Sequence, residues 1–302
     1  MSEIFKEVSS LATEQRNPAS VTMDSMSTKQ ILELINDEDA KVAATVREEI
    51  PHIERVVDKL TTLLGSGGRL FYVGAGTSGR MGVIDAAECP PTFGTSPAQI
   101  QAIIAGGKEA VFRSQEGAED DAAKGALEVA LQRCSDKDMV IGIAASKRTP
   151  FVIGALKKAS ELGSAAVLVT TNPRDAVDHS YLFQAICPHV GPEVLMGSTR
   201  MKSAVAQKMI LTMITTTTMV RLGKVYENMM IDLQLTNQKL VERAKRVIML
   251  ATGIEYDKAS ELLKLSGNHV KSAIVMAKRD VNAAEAKKLL ADHQGFVRKA
   301  IE

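Results

Sequence analysis

Tryptophan is absent from this chain of 302 residues, and aromatic residues make up only 4% of it. So few rings leave no platform on which nucleic-acid bases would stack. Neither sign of charge is in excess: 37 Lys and Arg face 36 Asp and Glu, for a formal net charge of +1. That balance removes the electrostatic drive toward nucleic acid or an anionic membrane. Cys89, Cys134 and Cys187 stand far apart without metal-ligand spacing, and read as reduced thiols in a cytoplasmic protein. His52, His179, His189, His269 and His293 form neither a metal pattern nor a triad pattern, so no metal is expected. Long apolar runs are missing too. The most apolar stretch, Met209 to Val220, carries Thr212 and Thr215 to Thr218 and is bounded by Lys208 and Arg221. It reads as a buried core helix, not a membrane span. The polar start Met1-Ser2-Glu3-Ile4-Phe5-Lys6-Glu7 does not resemble a secretory signal.

What remains is an ordinary globular composition, 45% hydrophobic and 24% charged, in a chain long enough for one large domain and a small one. Residues 1–25 read as irregular, and Ser27 is placed to cap a helix ending near Asn36. Apolar residues from Val42 to Leu64 recur at helical spacing until Gly65-Ser66-Gly67-Gly68 stops them. Strands are expected at Arg69–Gly74, Gln99–Ala105, Met139–Ala144, Ala166–Thr171 and Gln184–Pro188. Between them lie helices from Ser78, from about Glu109, from Thr149 to Leu162, and from about Thr199 to Leu222. This alternation predicts an α/β fold with a mainly parallel five-stranded sheet covered on both faces, three layers in all. A long helix should run from about Glu227 to Leu250. The tail then shows three short helical periods, broken at Gly267-Asn268 and Arg279-Asp280. The expected division is an N-terminal helical segment (1–68) packing on the sheet domain, a main α/β domain (69–250) and a small three-helix bundle (251–302).

The most informative segment is Gly74-Ala75-Gly76-Thr77-Ser78-Gly79-Arg80, which joins an apolar strand to an amphipathic helix. Such a turn aims free N–H groups and the positive end of a helix at one point, an anion site most often filled by phosphate. The run also matches the dinucleotide pattern G-x-G-x-x-G. A dinucleotide site would want an acid at the end of the second strand, where this chain has Ala105-Gly106-Gly107-Lys108. The hydroxyls of Thr77 and Ser78 suit a phosphate monoester better. A second hydroxyl cluster, Ser146 and Thr149, follows the third strand, where Thr149-Pro150 also reads as a helix cap with proline at the first position. Both clusters fall at strand carboxyl ends, where ligands bind in such folds.

Glu88, before Cys89-Pro90-Pro91, is read as sitting at a helix C-terminus. The helix dipole disfavours a carboxylate there, which marks it as a candidate for chemistry. Glu116-Gly117-Ala118-Glu119-Asp120 is an acidic cluster near a helix start, where acids are favourable without any function. Glu193, Ser198 and Arg200 precede the long core helix; they would either line a site or cap and charge-pair the helix entry.

Taken together, these pieces resemble the N-acetylmuramic acid 6-phosphate etherases, members of the sugar isomerase (SIS) superfamily. The resemblance rests on the glycine-rich loop, Asp85 to Thr92, Ile104-Ala105-Gly106-Gly107, Glu116 to Asp120, Gly142 to Ser146 and Gly191-Pro192-Glu193-Val194. It extends from Asn36-Asp37-Glu38-Asp39 to Ala284-Glu285-Ala286-Lys287-Lys288. The glycine-rich loop points only to the superfamily, whereas the Glu-Cys-Pro-Pro and Glu-Gly-Ala-Glu-Asp pieces belong to the etherases and their regulatory relatives. The chain departs from the family at Lys147, where glycine is usual. The resemblance implies an SIS-type fold and a cofactor-free lyase of cell-wall sugar recycling, which removes D-lactate from N-acetylmuramic acid 6-phosphate. It implies Glu88 as the acid assisting lactate departure and Glu119 as the base at sugar carbon 2, with Glu116 and Glu193 as further candidates. Gly76, Thr77, Ser78, Gly79, Ser146 and Thr149 would hold the phosphate. It further implies a homodimer with the active site near the interface, and a tail resembling a ubiquitin-associated bundle. An aldose–ketose isomerase and a non-catalytic sugar-phosphate sensor of the same superfamily are the competing readings.

Overall fold

The computed structural model describes residue 9, residues 11–235 and residues 237–302; the Met1–Glu7 segment lies outside them. The chain forms two compact units, Met1–Ala87 with Ala98–Thr215, and Glu88–Pro97 with Thr216–Glu302.

The first unit opens with single turns at Ala12–Glu14, Pro18–Ser20 and Met23–Ser25 and then α1, Thr28–Ala40. Ser27 caps α1, and Gln30 returns the bond to the Ser27 N–H, so two otherwise orphaned donors are satisfied. The single long helix expected from Val42 is two, α2 (Val42–Glu48) and α3 (Ile50–Gly65). Pro51 explains the break: its ring fits the first turn of α3 but not the interior of a continuous helix. There follow β1 (Leu70–Gly74), α4 (Gly76–Phe93), β2 (Ile100–Ile104), α5 (Glu109–Phe112), α6 (Ala122–Leu131), β3 (Met139–Ile143), α7 (Pro150–Glu161), β4 (Ala165–Val169), β5 (Gln184–Ile186) and α8 (Lys202–Arg221). The helix expected from Glu109 is thus only the single turn α5, and α6 is the helix that connects to β3.

All five strands are parallel, in the order β2-β1-β3-β4-β5. Gly74 stands opposite Ile104 on one side and Ile143 on the other. The chain moves outward from β1 to β2, then crosses back to β3. At that reversal the connections leaving β1 and β3 depart to opposite faces, and a crevice opens between their carboxyl ends. On one face of the sheet Phe71, Val73, Val140 and Leu168 pack with Phe151 and Leu156 of α7. Each such side chain removed from water stabilises by about 1.5–3 kcal/mol. On the other face a Cβ added to Gly82 of α4 would lie 2.8 Å from Tyr72 Cβ. The Tyr72 hydroxyl donates to Asp85 Oδ2 at 2.8 Å, and Thr215 of α8 donates to Oδ1 at 3.2 Å. Burial pushes the Asp85 carboxyl up, against the pull of those hydrogen bonds.

The second unit contains a hairpin, β6 (Val225–Tyr226) and β7 (Met229–Met230), where a helix was expected to begin. Glu227 turns the chain at φ +53°, the left-handed backbone that tight two-residue hairpin turns require. Helix α9 (Gln238–Thr252), capped by Asn237, packs with α10 (Tyr256–Leu265) and α11 (Val270–Arg279). The third expected period forms α12 (Ala283–Asp292), and a short α13 (Val297–Ile301), which the apolar periods did not announce, follows it. Among the described residues, no helix is long and apolar enough to cross a membrane.

A buried ion pair ties α1 to α8. Lys202 Nζ donates to Glu38 Oε2 at 2.6 Å, Asn17 donates to the same oxygen at 2.9 Å, and Lys41 donates to Oε1. Burial works to raise the Glu38 carboxyl, but these donors outweigh it and hold it at about 2, against an ordinary 4.5. A lowered carboxyl contributes stability above its unfolded value and loses it as pH falls through the folded value. The wild-type protein should therefore lose stability as pH drops from about 4.5 toward 2. Glu38→Gln should be less stable at neutral pH and show a flatter decline across that window, read from melting temperature against pH.

Candidate active site

Two loops flank the crevice at the carboxyl ends of β1 and β3. After Gly74 the chain turns through Ala75 directly into α4. This close turn needs glycine at two places. A Cβ on Gly74 would fall 2.6 Å from the Gly79 nitrogen, and one on Gly79 would fall 2.6 Å from Ile104 Cγ1. The first in-helix bond is Gly79 N–H to Ala75 O, 3.1 Å. Among the described residues the N–H groups of the preceding first turn, Thr77 and Ser78 included, have no backbone carbonyl partner, so the site favours an anion. Thr77 and Ser78 are half-buried, Gly76 is exposed and Gly79 is buried beneath them.

The second loop runs from Ala145 to Pro150. Lys147 N–H returns to Ala144 O at 3.0 Å, and Arg148 N–H donates to Ser146 Oγ at 3.4 Å. Thr149 occupies the position before α7, yet its side chain accepts no cap bond from that helix. Lys147 adopts φ +58°. Here, where the resemblance leads one to expect glycine, the backbone is in the region that glycine adopts freely and side chains disfavour by about 1–2 kcal/mol. The Lys147 ammonium donates to Ala176 O at 2.6 Å, which offsets part of that cost.

A small cleft of about 90 Å³ joins Gly76 and Arg80 of α4 to Ser114, Glu116 and Glu119. Glu119 lies on the single turn Ala118–Asp120, which Gly117 introduces at φ +74°. Both glutamates are exposed, and Ser114 Oγ donates to Glu116 Oε1 at 3.5 Å. Arg80 Nε donates to Val111 O at 2.9 Å, which holds its guanidinium on the cleft wall. The arrangement sets two carboxylates beside the N-terminal turn of α4, where acid–base chemistry has its groups within one cleft.

The other candidates sit elsewhere. Glu88 is exposed on α4, and the helix does not end there: it runs through Pro90 and Pro91 to Phe93. The unfavourable helix-end position expected for Glu88 is therefore not found. Two prolines normally break a helix, which is why the sequence suggested an earlier stop. Glu88 belongs to the second compact unit, whereas Gly76, Glu116, Glu119 and Ser146 belong to the first. Of the two roles left open for Glu193, the structure shows the cap. It is fully buried, and its two oxygens accept the Lys202 and Ser203 N–H groups at 2.9 Å each. Ser198 is half-buried and Arg200 exposed in the turn before α8. No sequence motif pointed to Thr170-Thr171-Asn172, which follows β4 and donates to the Ala145 carbonyl beside Ser146. Its signal was the run of polar residues directly after an apolar strand.

A relative from Salinibacter ruber named N-acetylmuramic acid 6-phosphate etherase is 55% identical over 302 residues, covering 100% of this chain and 97% of its own length. The chain belongs to the N-acetylmuramic acid 6-phosphate etherase family. Etherases of the same name from Clostridium acetobutylicum and Photorhabdus laumondii are 50% and 46% identical, each over 97% of this chain and 96% and 97% of their own lengths. A family profile described as the glucokinase regulatory protein N-terminal SIS domain matches residues 52–160. That span includes the loops after β1 and β3 together with Glu88, Glu116 and Glu119.

The backbone at Lys147 carries a direct test. Lys147→Gly should leave the melting temperature nearly unchanged, because relief of strain is balanced by a more flexible unfolded chain and the lost lysine bond. Lys147→Val should destabilise by about 1–2 kcal/mol, because a branched Cβ is worst tolerated at positive φ. Equal stability of the two variants would refute the assignment of strain to this residue.

Proposed function

We propose that this protein cleaves the D-lactyl ether of N-acetylmuramic acid 6-phosphate, giving N-acetylglucosamine 6-phosphate and D-lactate. The observation that carries the reading is the 55% identity, end to end, to an etherase of that name. The cleft that puts Glu119 beside the first anion loop supports it. In this reading the reaction is a lyase elimination followed by hydration. Thr77, Ser78, Gly79 and the Gly76 turn hold the phosphate with Ser146 and Thr149. The open-chain aldehyde acidifies the proton on carbon 2, and Glu119 removes it. The electron pair forms the carbon 2–carbon 3 double bond as the lactyl oxygen leaves carbon 3 with a proton from Glu88. Water then adds at carbon 3, deprotonated by Glu88, while Glu119, whose carboxyl proton has exchanged with solvent, protonates carbon 2. Two carboxyl groups with opposite proton occupancy suffice for this sequence.

The same reading makes residues 69–250 the catalytic domain and the enzyme a cytoplasmic homodimer with its active site near the interface, acting in cell-wall sugar recycling. The match to a regulatory protein's SIS domain favours a second reading, a sensor that binds sugar phosphate without turning it over.

Lactate release from N-acetylmuramic acid 6-phosphate separates the two. The etherase releases it, and Glu88→Gln and Glu119→Gln should each slow release by about 10²–10⁴-fold with little change in melting temperature, since both side chains are exposed. A wild-type protein that binds the substrate and releases no lactate is the sensor. The assembly is checked by sedimentation at micromolar concentration: a dimer is expected, and a fully active monomer would refute the interface site.

A further inference from the structure

Among the described residues, Ala145 O, one residue before Ser146, accepts four hydrogen bonds. They come from Thr170 Oγ1 at 3.0 Å, Thr171 N–H at 3.2 Å, Thr171 Oγ1 at 3.2 Å and Asn172 Nδ2 at 2.8 Å. The three donor residues are buried, each at or below 1% exposure. So many donors on one carbonyl exceed what backbone pairing demands, and they fix the direction of a single peptide plane. A trans peptide carries its C=O and N–H on opposite sides. Turning Ala145 O onto the Thr170–Asn172 turn therefore turns the Ser146 N–H away from it. Among the described residues that N–H has no hydrogen-bond partner within the protein.

The turn is itself held from two sides. Asn172 Oδ1 accepts the Ala12 N–H at 3.1 Å, and Thr171 Oγ1 lies 3.1 Å from Ser203 Oγ at the capped start of α8. Further along the same segment, Ala176 O accepts the Lys147 ammonium. The peptide before Ser146 and the residue after it are thus both tied to residues 170–176.

We propose that Asn172, with Thr170 and Thr171, positions the second phosphate-binding loop by fixing the Ala145–Ser146 peptide, so that the Ser146 N–H and hydroxyl are presented together to a phosphate. This rests on the reading of the Ser146 loop as a phosphate subsite. Asn172 is a positioning residue: it acts through Ala145 and need not touch the ligand. Asn172→Ala removes the shortest of the four bonds and the brace to Ala12. Thr171→Val removes one hydroxyl while keeping its shape, and serves where Asn172→Ala fails to fold. Thr171→Ser restores the hydroxyl.

The test measures KM and kcat with N-acetylmuramic acid 6-phosphate, and the affinity of the free protein for inorganic phosphate by calorimetry. Asn172→Ala should weaken phosphate binding and raise KM by roughly tenfold, the scale of one buried hydrogen bond lost from a site, with kcat changed less than KM. Thr171→Val should shift in the same direction, and Thr171→Ser should return to wild-type values. A lower melting temperature with phosphate affinity and KM unchanged would make the turn merely structural and overturn the proposal. The phosphate titration also separates this proposal from the etherase reading. Weaker phosphate binding by the variants of a protein that releases no lactate refutes only the reaction. No phosphate affinity in the wild type refutes the subsite and this proposal with it.

Discussion

The reversal of strand order at β1 is the constraint on which the candidate site depends. With β2 and β3 flanking β1 in one parallel sheet, the chain must leave β1 toward one face and leave β3 toward the other. Each departure opens a helix, α4 from Gly76 and α7 from Pro150. Two loops therefore leave the carboxyl ends of neighbouring parallel strands, with free backbone donors at the start of α4 and hydroxyls on both loops. An anion placed there satisfies what the fold cannot satisfy internally. The close turn from Gly74 to Gly79 follows from the same constraint, because α4 must begin directly against the strand it leaves.

Around that crevice the polar groups are held more rigidly than a solvent-facing loop would hold them. Glu193 caps α8, Ser203 meets Thr171, and the Thr170–Asn172 turn grips Ala145. The N-terminal segment takes part in the same web. Asn17 bonds Glu38 and Pro192 O, Ala12 N–H bonds Asn172, and Gly197 N–H bonds Thr13 O. Residues 11–40 thus act as a brace over the carboxyl ends of the strands. A buried ion pair such as Glu38 with Lys202 adds little net stability over an apolar pair, but breaking one partner costs about 3–5 kcal/mol. Its effect is to hold α1 and α8 in one arrangement.

Much of this was legible in the residues. Apolar strands of Leu, Val and Ile between helical segments announced the parallel sheet, and glycines with hydroxyls marked the two loops. The misses have physical reasons. Pro90 and Pro91 read as a helix end because local propensity forbids them, yet α4 continues to Phe93. The β6–β7 hairpin lacks the usual glycine turn, since Glu227 itself takes the left-handed position. Glu193 left two roles open because a buried cap and a catalytic acid look alike in one dimension. The Thr170–Asn172 brace depends on the Ala145 carbonyl in the loop after β3, and no spacing pattern encodes such a partner. Lys147 was the reverse case: a departure noticed in the sequence gained its meaning from the backbone angle.

The central claim is that a phosphate cradle and paired carboxyl groups perform elimination and hydration on one sugar. The most direct measurement is turnover of N-acetylmuramic acid 6-phosphate in deuterated water, followed at carbon 2 of the sugar. The account predicts D-lactate together with N-acetylglucosamine 6-phosphate carrying deuterium at carbon 2. Exchange at carbon 2 without lactate, or lactate with the original proton retained at carbon 2, would contradict it.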